Sequence, residues 1–308
     1  MDISVILATF NRDAILQKTL DSFTGINIAH LKWEIIVVDN GVRQQTEQLV
    51  NAYQSTLPIT YLSEKAPGKN SALNKALPLA QGGILVFTDD DIIAQPNWLT
   101  ELYNGINRNP DFDMFGGTIK PSYPNISVDS RINLSHHSIR DALVITNPEF
   151  KEGAIRPGQI WGPNMAIRRK IIDAGFTFNP NIGPNGSDYV MGSETEFLLR
   201  AHKAGYKSAF LPAAVVFHQI RENQLCLDWL AGRAFRHGKG DAAKSSIPDC
   251  KSWFGAPRYL YKKALIHKLL MLSDRIRHKH HAFFSHFIRY NFIKGQISQY
   301  KKRKVGQH

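Results

Sequence analysis

The sequence predicts an α/β protein built on a mostly parallel central sheet flanked by helices, with a basic helical appendage at its C-terminal end. Over the first 90 residues, short β-branched runs alternate with segments whose apolar residues recur at three- and four-residue spacing, the signature of successive β-α units. Three of the apolar runs end in polar clusters, Thr9-Phe10-Asn11-Arg12, Asp39-Asn40-Gly41 and Asp89-Asp90-Asp91. A parallel sheet gathers such clusters at its carboxyl edge, where ligands bind. Charge is divided along the chain: residues 251 to 308 hold 14 Lys and Arg against one acid, Asp274, while the preceding 250 residues hold 24 against 25 acids.

In chain order, strands are expected at Ile3–Ala8, Ile35–Asp39, Ile59–Leu62 and Ile84–Thr88, with helices between them over Asp13–Phe23, Thr46–Tyr53 and Asn70–Ala80. A helix follows near Trp98–Asn107. From Phe112 to Ile160, scattered Pro, Gly and Asn break the periodicity, and the stretch reads as an insertion or an acceptor-side segment. A strand at Asn164–Ile167, a helix at Glu194–Ala204 and strands around Ser208–Phe217 restore order. Boundaries are expected near residues 105 and 240.

With 308 residues and 43% hydrophobic composition the chain can bury a full core. Its cysteines, Cys226 and Cys250, form neither a paired framework nor a C-x-x-C, which fits a reducing cytoplasm. Met1 and Asp2 lead directly into an apolar strand without the pattern of a signal peptide, and no apolar run has the length of a bilayer span. The net charge of +12 resides in the tail, and no nucleic-acid recognition motif accompanies it, so a nucleic-acid partner is not expected.

Three consecutive aspartates after a buried strand concentrate negative charge that a hard divalent cation such as Mg²⁺ or Mn²⁺ would offset, often together with substrate phosphates. Without such an ion, solvent alone would hold the acids apart. The competing reading is a solvated acidic turn before the helix at Trp98. Asp39 suits hydrogen bonds to a nucleobase or, alternatively, the start of a turn. Thr9 and Arg12 suit a nucleoside or diphosphate, with Asn11 as donor contact or helix cap. Lys69 faces a nucleotide or solvent. His218, closing Ala214-Val215-Val216-Phe217, suits a metal, an acceptor pocket or a structural role. Trp161 suits stacking on an acceptor sugar or core packing.

Ala8-Thr9-Phe10-Asn11-Arg12, Val37-Val38-Asp39-Asn40-Gly41, Gly68-Lys69-Asn70-Ser71-Ala72-Leu73-Asn74 and Phe87-Thr88-Asp89-Asp90-Asp91 follow one another in the order found in inverting family 2 glycosyltransferases, and the chain resembles that family and its A-type fold. Trp161-Gly162-Pro163-Asn164-Met165-Ala166 is similar to the family's acceptor-side motif. Gly192-Ser193-Glu194-Thr195-Glu196, followed by Arg200 and Gly205, is similar to the segment of its Glu-Asp pair, although Ser193-Glu194 stands where Glu-Asp is usual. The resemblance implies a nucleotide-sugar-binding half over 1–105, an acceptor-binding and catalytic half over 106–240, and a tail over 241–308. It also implies a donor site at Thr9, Asn11, Arg12, Asp39, Lys69, Asn74, Asp89 and Asp90, a metal at Asp89, Asp91 and His218, acceptor contacts at Trp161 and Asn164, and a base at Glu194 with Glu196 in reserve. A nucleotide-diphosphate sugar, UDP-linked in the first instance, is the implied donor.

Two other classes compete. A nucleotidyltransferase should carry a glycine-rich loop after its first strand, and Ala8-Thr9-Phe10-Asn11-Arg12 has no glycine. A nucleotide-sugar-binding protein without transfer activity is favoured by Ser193. In the tail, Tyr261, Leu265, Leu269, Leu272 and Ile276 form a helical stripe interleaved with Lys262, Lys263, Lys268 and Arg275. Phe283, Phe284, Phe287, Tyr290 and Phe292 form a second cluster. Both are expected on an anionic membrane surface, bringing the site to a glycan or lipid-linked acceptor at the inner face; the competing reading packs both on the catalytic body.

Overall fold

The computed structural model describes residues 1–28, 30–183, 191–245 and 250–305. The chain forms two compact units, the first comprising Met1–Ser122, Val144–Asn185 and Ser193–Gln219, the second Tyr123–Leu143, Gly186–Gly192 and Ile220–His308. In order, the elements up to residue 219 are β1 (Ile3–Thr9), α1 (Asp13–Thr24), β2 (Trp33–Asp39), α2 (Gln44–Asn51), β3 (Ile59–Ser63), α3 (Lys69–Ala76), β4 (Ile84–Asp89), β5 (Ile92–Ala94), α4 (Trp98–Arg108), β6 (Met114–Ser122), α5 (His137–Leu143), β7 (Gly153–Ala154), β8 (Met165–Arg168), α6 (Lys170–Asp173), α7 (Ser193–Lys203) and β9 (Ser208–Gln219). Only α5 of these belongs to the second unit.

The first unit is a sheet in the order β3-β2-β1-β4-β8-β6-β9-β5, with β7 on β9. Strand β1 is buried on both faces, as its unbroken apolar run requires. Its alternate residues feed two cores. Ile3, Val5 and Leu7 meet Leu16, Leu20 and Phe23 of α1 and Trp98, Leu99 and Leu102 of α4; Ile6 meets Leu73 and Ala76 of α3 and Phe197 and Leu198 of α7.

The parallel arrangement expected from the β-α alternation holds from β3 to β4. Beyond β4 the sheet is mixed: β8 lies antiparallel to both β4 and β6, because the chain returns to it through the irregular stretch rather than through a β-α unit. Strand β6 lies inside the segment that reads as irregular. Its Gly116-Gly117 pair weakens the strand signal, yet close packing requires it. A Cβ on Gly116 would stand 3.0 Å from Ile160, and one on Gly117 would fall 2.6 Å from the Ala214 carbonyl oxygen.

The second unit contains α5, α8 (Leu227–Lys244), a hairpin of β10 (Ser252–Trp253) and β11 (Ala256–Pro257), α9 (Arg258–Ile276) and α10 (His280–Val305). Helices α8 and α10 approach at two glycines: a Cβ on Gly238 would collide with the Phe292 carbonyl, and one on Gly295 with the Phe235 carbonyl. Phe283, Phe284, Ile293 and Tyr300 of α10 are buried, Phe284 edge-on to His136 at 5.6 Å. Of the aromatic cluster expected on a surface, Phe283 and Phe284 thus lie inside this unit, while Phe287, Tyr290 and Phe292 are half-buried. Helix α9 behaves differently, with only Leu260 fully buried and Leu265, Leu269, Leu272 and Ile276 exposed. Among the described residues no helix is long and apolar enough to cross a membrane.

Candidate active site

Register brings the polar strand ends together. Thr9 pairs with Asp39 across β1 and β2, and Ala8 with Asp89 across β1 and β4. Asp90 is fully buried. The Thr9 hydroxyl donates to its Oδ2 at 2.7 Å, and Arg12 lies 2.8 Å from its Oδ1 and 3.0 Å from Asp91 Oδ2. His218 Nε2, on β9, lies 3.3 Å from Asp91 Oδ1. Lys69 begins α3 and points its Nζ between two acids from distant parts of the chain, 2.5 Å from Asp89 Oδ1 and 2.7 Å from Glu194 Oε1. The Ser193 hydroxyl donates to Glu194 Oε2 at 2.8 Å.

This geometry corrects the expectation that solvent holds the three aspartates apart. Arg12 and Lys69 supply countercharge, each between two acids, so removing one acid takes away one partner of a cation as well as relieving repulsion. The electrostatics follow. Burial pushes the Asp90 carboxyl up to about 7, with Asp91 and Asp89 adding to the rise and Arg12 and Thr9 opposing it. Burial would also raise Glu194, but the charge and hydrogen bond of Lys69, with bonds from backbone and Ser193, hold it at about 2. Burial opposes the Lys69 charge, yet Asp89 and Glu194 together raise its pKa above the ordinary lysine range.

The two acids proposed as alternatives on α7 have separate surroundings. Two positions apart on a helix, they point to different faces. Glu196 is held by Arg200, with Nε 2.6 Å from Oε1, and does not join the Lys69 cluster. Asp39 accepts from the backbone N–H groups of Gly41 and Arg43, both at 2.7 Å, and from the Tyr61 hydroxyl at 3.1 Å; here it organises its own turn. Asn74 exchanges two bonds with the Phe178 backbone. Asn164 is buried, accepts from Trp98 Nε1 at 2.9 Å and donates to the carbonyls of Thr118 and Ala214. Both amides therefore fix neighbouring elements. Asn11 is exposed with φ 54°, and Arg12, not Asn11, occupies the N-cap position of α1, without a side-chain cap bond. Trp161 is half-buried against the first core.

Sequence reasoning missed two members of the site. Gly162 lies against the ion pair: a Cβ there would stand 2.6 Å from Glu194 Oε1 and 3.2 Å from Lys69 Nζ. Ser193 reads as a departure from the expected Glu-Asp, whereas its hydroxyl orients Glu194. The Trp161-Gly162 motif was legible, but its apposition to a residue 32 positions later is tertiary.

Among the described residues no three His, Cys, Asp or Glu side chains are arranged to hold a metal by themselves. Divalent ions carried on a diphosphate require only one or two protein carboxylates. Asp89, Asp91 and the adjacent His218 offer oxygen and nitrogen donors of the kind Mn²⁺ accepts, so the residues present fit a shared metal–diphosphate site.

A mixed sheet with acids at its carboxyl edge, enclosed by helices, is the arrangement of an A-type glycosyltransferase. The fold is similar to that of mannosyltransferase PcManGT from Pyrobaculum calidifontis, solved with GDP-Man and Mn²⁺ (TM-score 0.64, 16% identity, 96% of this chain and 86% of that one). It is also similar to S. aureus TarS 1–349 (TM-score 0.56, 17% identity, 100% and 93%). The chain belongs to glycosyl transferase family 2, whose model matches residues 4–176. Among its relatives, glycosyltransferase AglE of Haloferax volcanii is 25% identical over 241 residues, 77% of this chain and 72% of that one. The glucosyl-dolichyl phosphate glucuronosyltransferase of the same organism is 21% identical over 242 residues, 77% and 75%.

Proposed function

We propose that this glycosyltransferase moves a sugar, with inversion, from a nucleotide-diphosphate donor to a hydroxyl of a glycan or lipid-linked acceptor, in cell-surface polysaccharide or glycolipid synthesis. The observation that carries the reading is the Lys69 bridge, which puts the strand-end acid Asp89 and the helix-borne acid Glu194 within reach of one ammonium group. UDP-sugars are the first candidates; neighbours of this fold were solved with UDP, UDP-GlcNAc and GDP-Man. The glucuronosyltransferase relative is named for a dolichyl phosphate-linked acceptor, which favours a lipid-linked acceptor; a place on the inner face of the membrane is part of the same proposal and rests on the basic tail.

In the proposed reaction the acceptor oxygen attacks the anomeric carbon, the bond from that carbon to the diphosphate oxygen breaks, and the nucleoside diphosphate leaves with the bonding electrons. Glu194 takes the acceptor proton. Held at about 2 by Lys69, it is a weak base as it stands. A diphosphate competes for Lys69, and losing that partner raises the basicity of Glu194 as the donor binds. Glu196, paired with Arg200, has no such coupling. Thr9 and Arg12 border the donor with Asp39 at the nucleobase end, Asn11 lies in the turn after β1 and Asn74 on α3, and Trp161 and Asn164 shape the acceptor side. Mn²⁺ or Mg²⁺, held by Asp89, Asp91 and His218, would supply Lewis-acid stabilisation of the departing diphosphate.

Titrating a panel of nucleotide-sugars with and without Mn²⁺ tests donor and metal together. Asp89→Ala combined with Asp91→Ala should abolish the Mn²⁺-dependent part of binding; unchanged affinity in Mn²⁺ would overturn the metal assignment. Binding without transfer in the wild-type protein, across acceptors including lipid phosphates, would favour the binding-only alternative.

A further inference from the structure

The hairpin that leads into α9 has an unusual tip. Trp253 pairs with Ala256, so the loop is just Phe254 and Gly255, both at positive φ, 44° and 82°. Two-residue hairpin turns with positive φ at both positions match the twist of the strands and favour Asn-Gly or Gly-Gly. Glycine enters that region without strain, whereas a bulky residue such as Phe254 does not. Phe254 is nevertheless 83% exposed, and Trp253 beside it is 48% exposed. A strained position has been given to a ring that contributes little to the core.

The tip is fixed to α9. Arg258 lies over the Trp253 ring, 4.4 Å from its centroid, and Phe254 meets Tyr261 edge-on at 6.4 Å. Further along the helix Leu265, Ile266, Leu269, Leu270, Leu272 and Ile276 are exposed. Lys262, Lys263, Lys268 and Arg275 are exposed among them. We propose that the Trp253–Phe254 tip inserts into the headgroup region of an anionic bilayer while α9 lies along it, with the buried aromatics of α10 taking no part. This rests on the membrane-surface reading above and assigns it to one surface. Charge selects the occupant. Protein interfaces with an apolar centre are depleted in lysine, whereas helices that lie in anionic headgroups are lysine-rich around their apolar face, and Asp274 is the sole acid from residue 251 onward.

The test is sedimentation of the full chain with phosphatidylcholine vesicles, with and without phosphatidylglycerol, at low and high salt. Two variants are compared with wild type: Trp253→Ser with Phe254→Asn, and Leu265→Gln with Leu269→Gln. Each should weaken binding to anionic vesicles roughly tenfold or more and leave nucleotide-sugar binding unchanged. Because asparagine suits the turn, Phe254→Asn alone should raise the thermal midpoint while lowering vesicle affinity, opposite signs that a purely structural role would not give. Wild-type binding with undiminished binding of both double variants would overturn this surface and leave the membrane reading standing. No binding by wild type would overturn both. If sedimentation equilibrium shows a wild-type dimer that the variants dissociate while vesicle binding persists, the face takes a second copy of the chain and the proposal fails.

Discussion

The strand-end cluster of the first unit and helix α9 of the second handle charge in opposite ways. Around Asp90, each described charge has a partner of opposite sign: Arg12 with Asp90 and Asp91, Lys69 with Asp89 and Glu194. On α9, lysines and an arginine stand exposed beside exposed leucines with Asp274 as the one acid of the segment. Buried charges persist only when compensated, so the first arrangement is internally paired and changes when a ligand exchanges one partner for another. The second leaves exposed cations beside exposed leucines, and the energetics of that face lie with whatever it meets. Perturbing the two should therefore differ in size and in salt dependence.

The largest effect is expected at the base. Glu194→Gln should retain donor binding by calorimetry and lose roughly two to four orders of magnitude in transfer, while Glu196→Gln, which disturbs a pair with Arg200, should lose far less. The reverse order would place the reaction on the other face of α7.

Glycines of α8 give the next contrast. Gly238→Ala should destabilise by roughly 1–3 kcal/mol in urea denaturation, because its methyl group meets the Phe292 backbone. Gly232→Ala on the same helix faces the flexible end of Arg236, 3.3 Å away, and should stabilise by about 0.5–1 kcal/mol.

A pH effect separates the internally paired cluster from the tail. Asp90 has its pKa raised from 3.8 to about 7, burial being the main cause. The folded chain thus retains a proton that the unfolded chain has released. Its contribution is fully present below the unfolded value and is lost as pH rises through the folded one. The stability difference, wild type minus Asp90→Asn, should fall between about pH 4 and about pH 7 and then level off; denaturation across that range measures it. The smallest effect belongs to α9, where Lys268→Ala should change stability by less than about 0.5 kcal/mol yet reduce anionic-vesicle binding at low salt.

The β-α half was legible because period-2 and period-3.6 patterns are local: β1, β4, α1 and α4 lie within a residue or two of their expected bounds. Strand β6 was not, since Gly116 and Gly117 answer to Ile160, Asn164 and Ala214 rather than to strand propensity. The acids of the site were legible one by one, but their partners were not. That Asn74 bonds buried backbone groups was one of two readings open to the sequence, but nothing local indicates that Lys69 bridges Asp89 and Glu194, or that Asn164 spends its amide on backbone groups. In the tail, α9 and α10 both read as basic helices with apolar residues, and nothing local indicates that Gly295 of α10 meets the Phe235 carbonyl of α8.

That crossing also fixes a position. Helices that interdigitate through side chains can slide by one turn and find new grooves, the shear by which many proteins move. Where α8 and α10 meet, Gly238 faces the Phe292 carbonyl and Gly295 faces the Phe235 carbonyl, so the fit is backbone to backbone at two points. A slide of one turn would carry both carbonyls onto positions occupied by residues with a Cβ. The pair therefore has one admissible offset and behaves as a keyed joint.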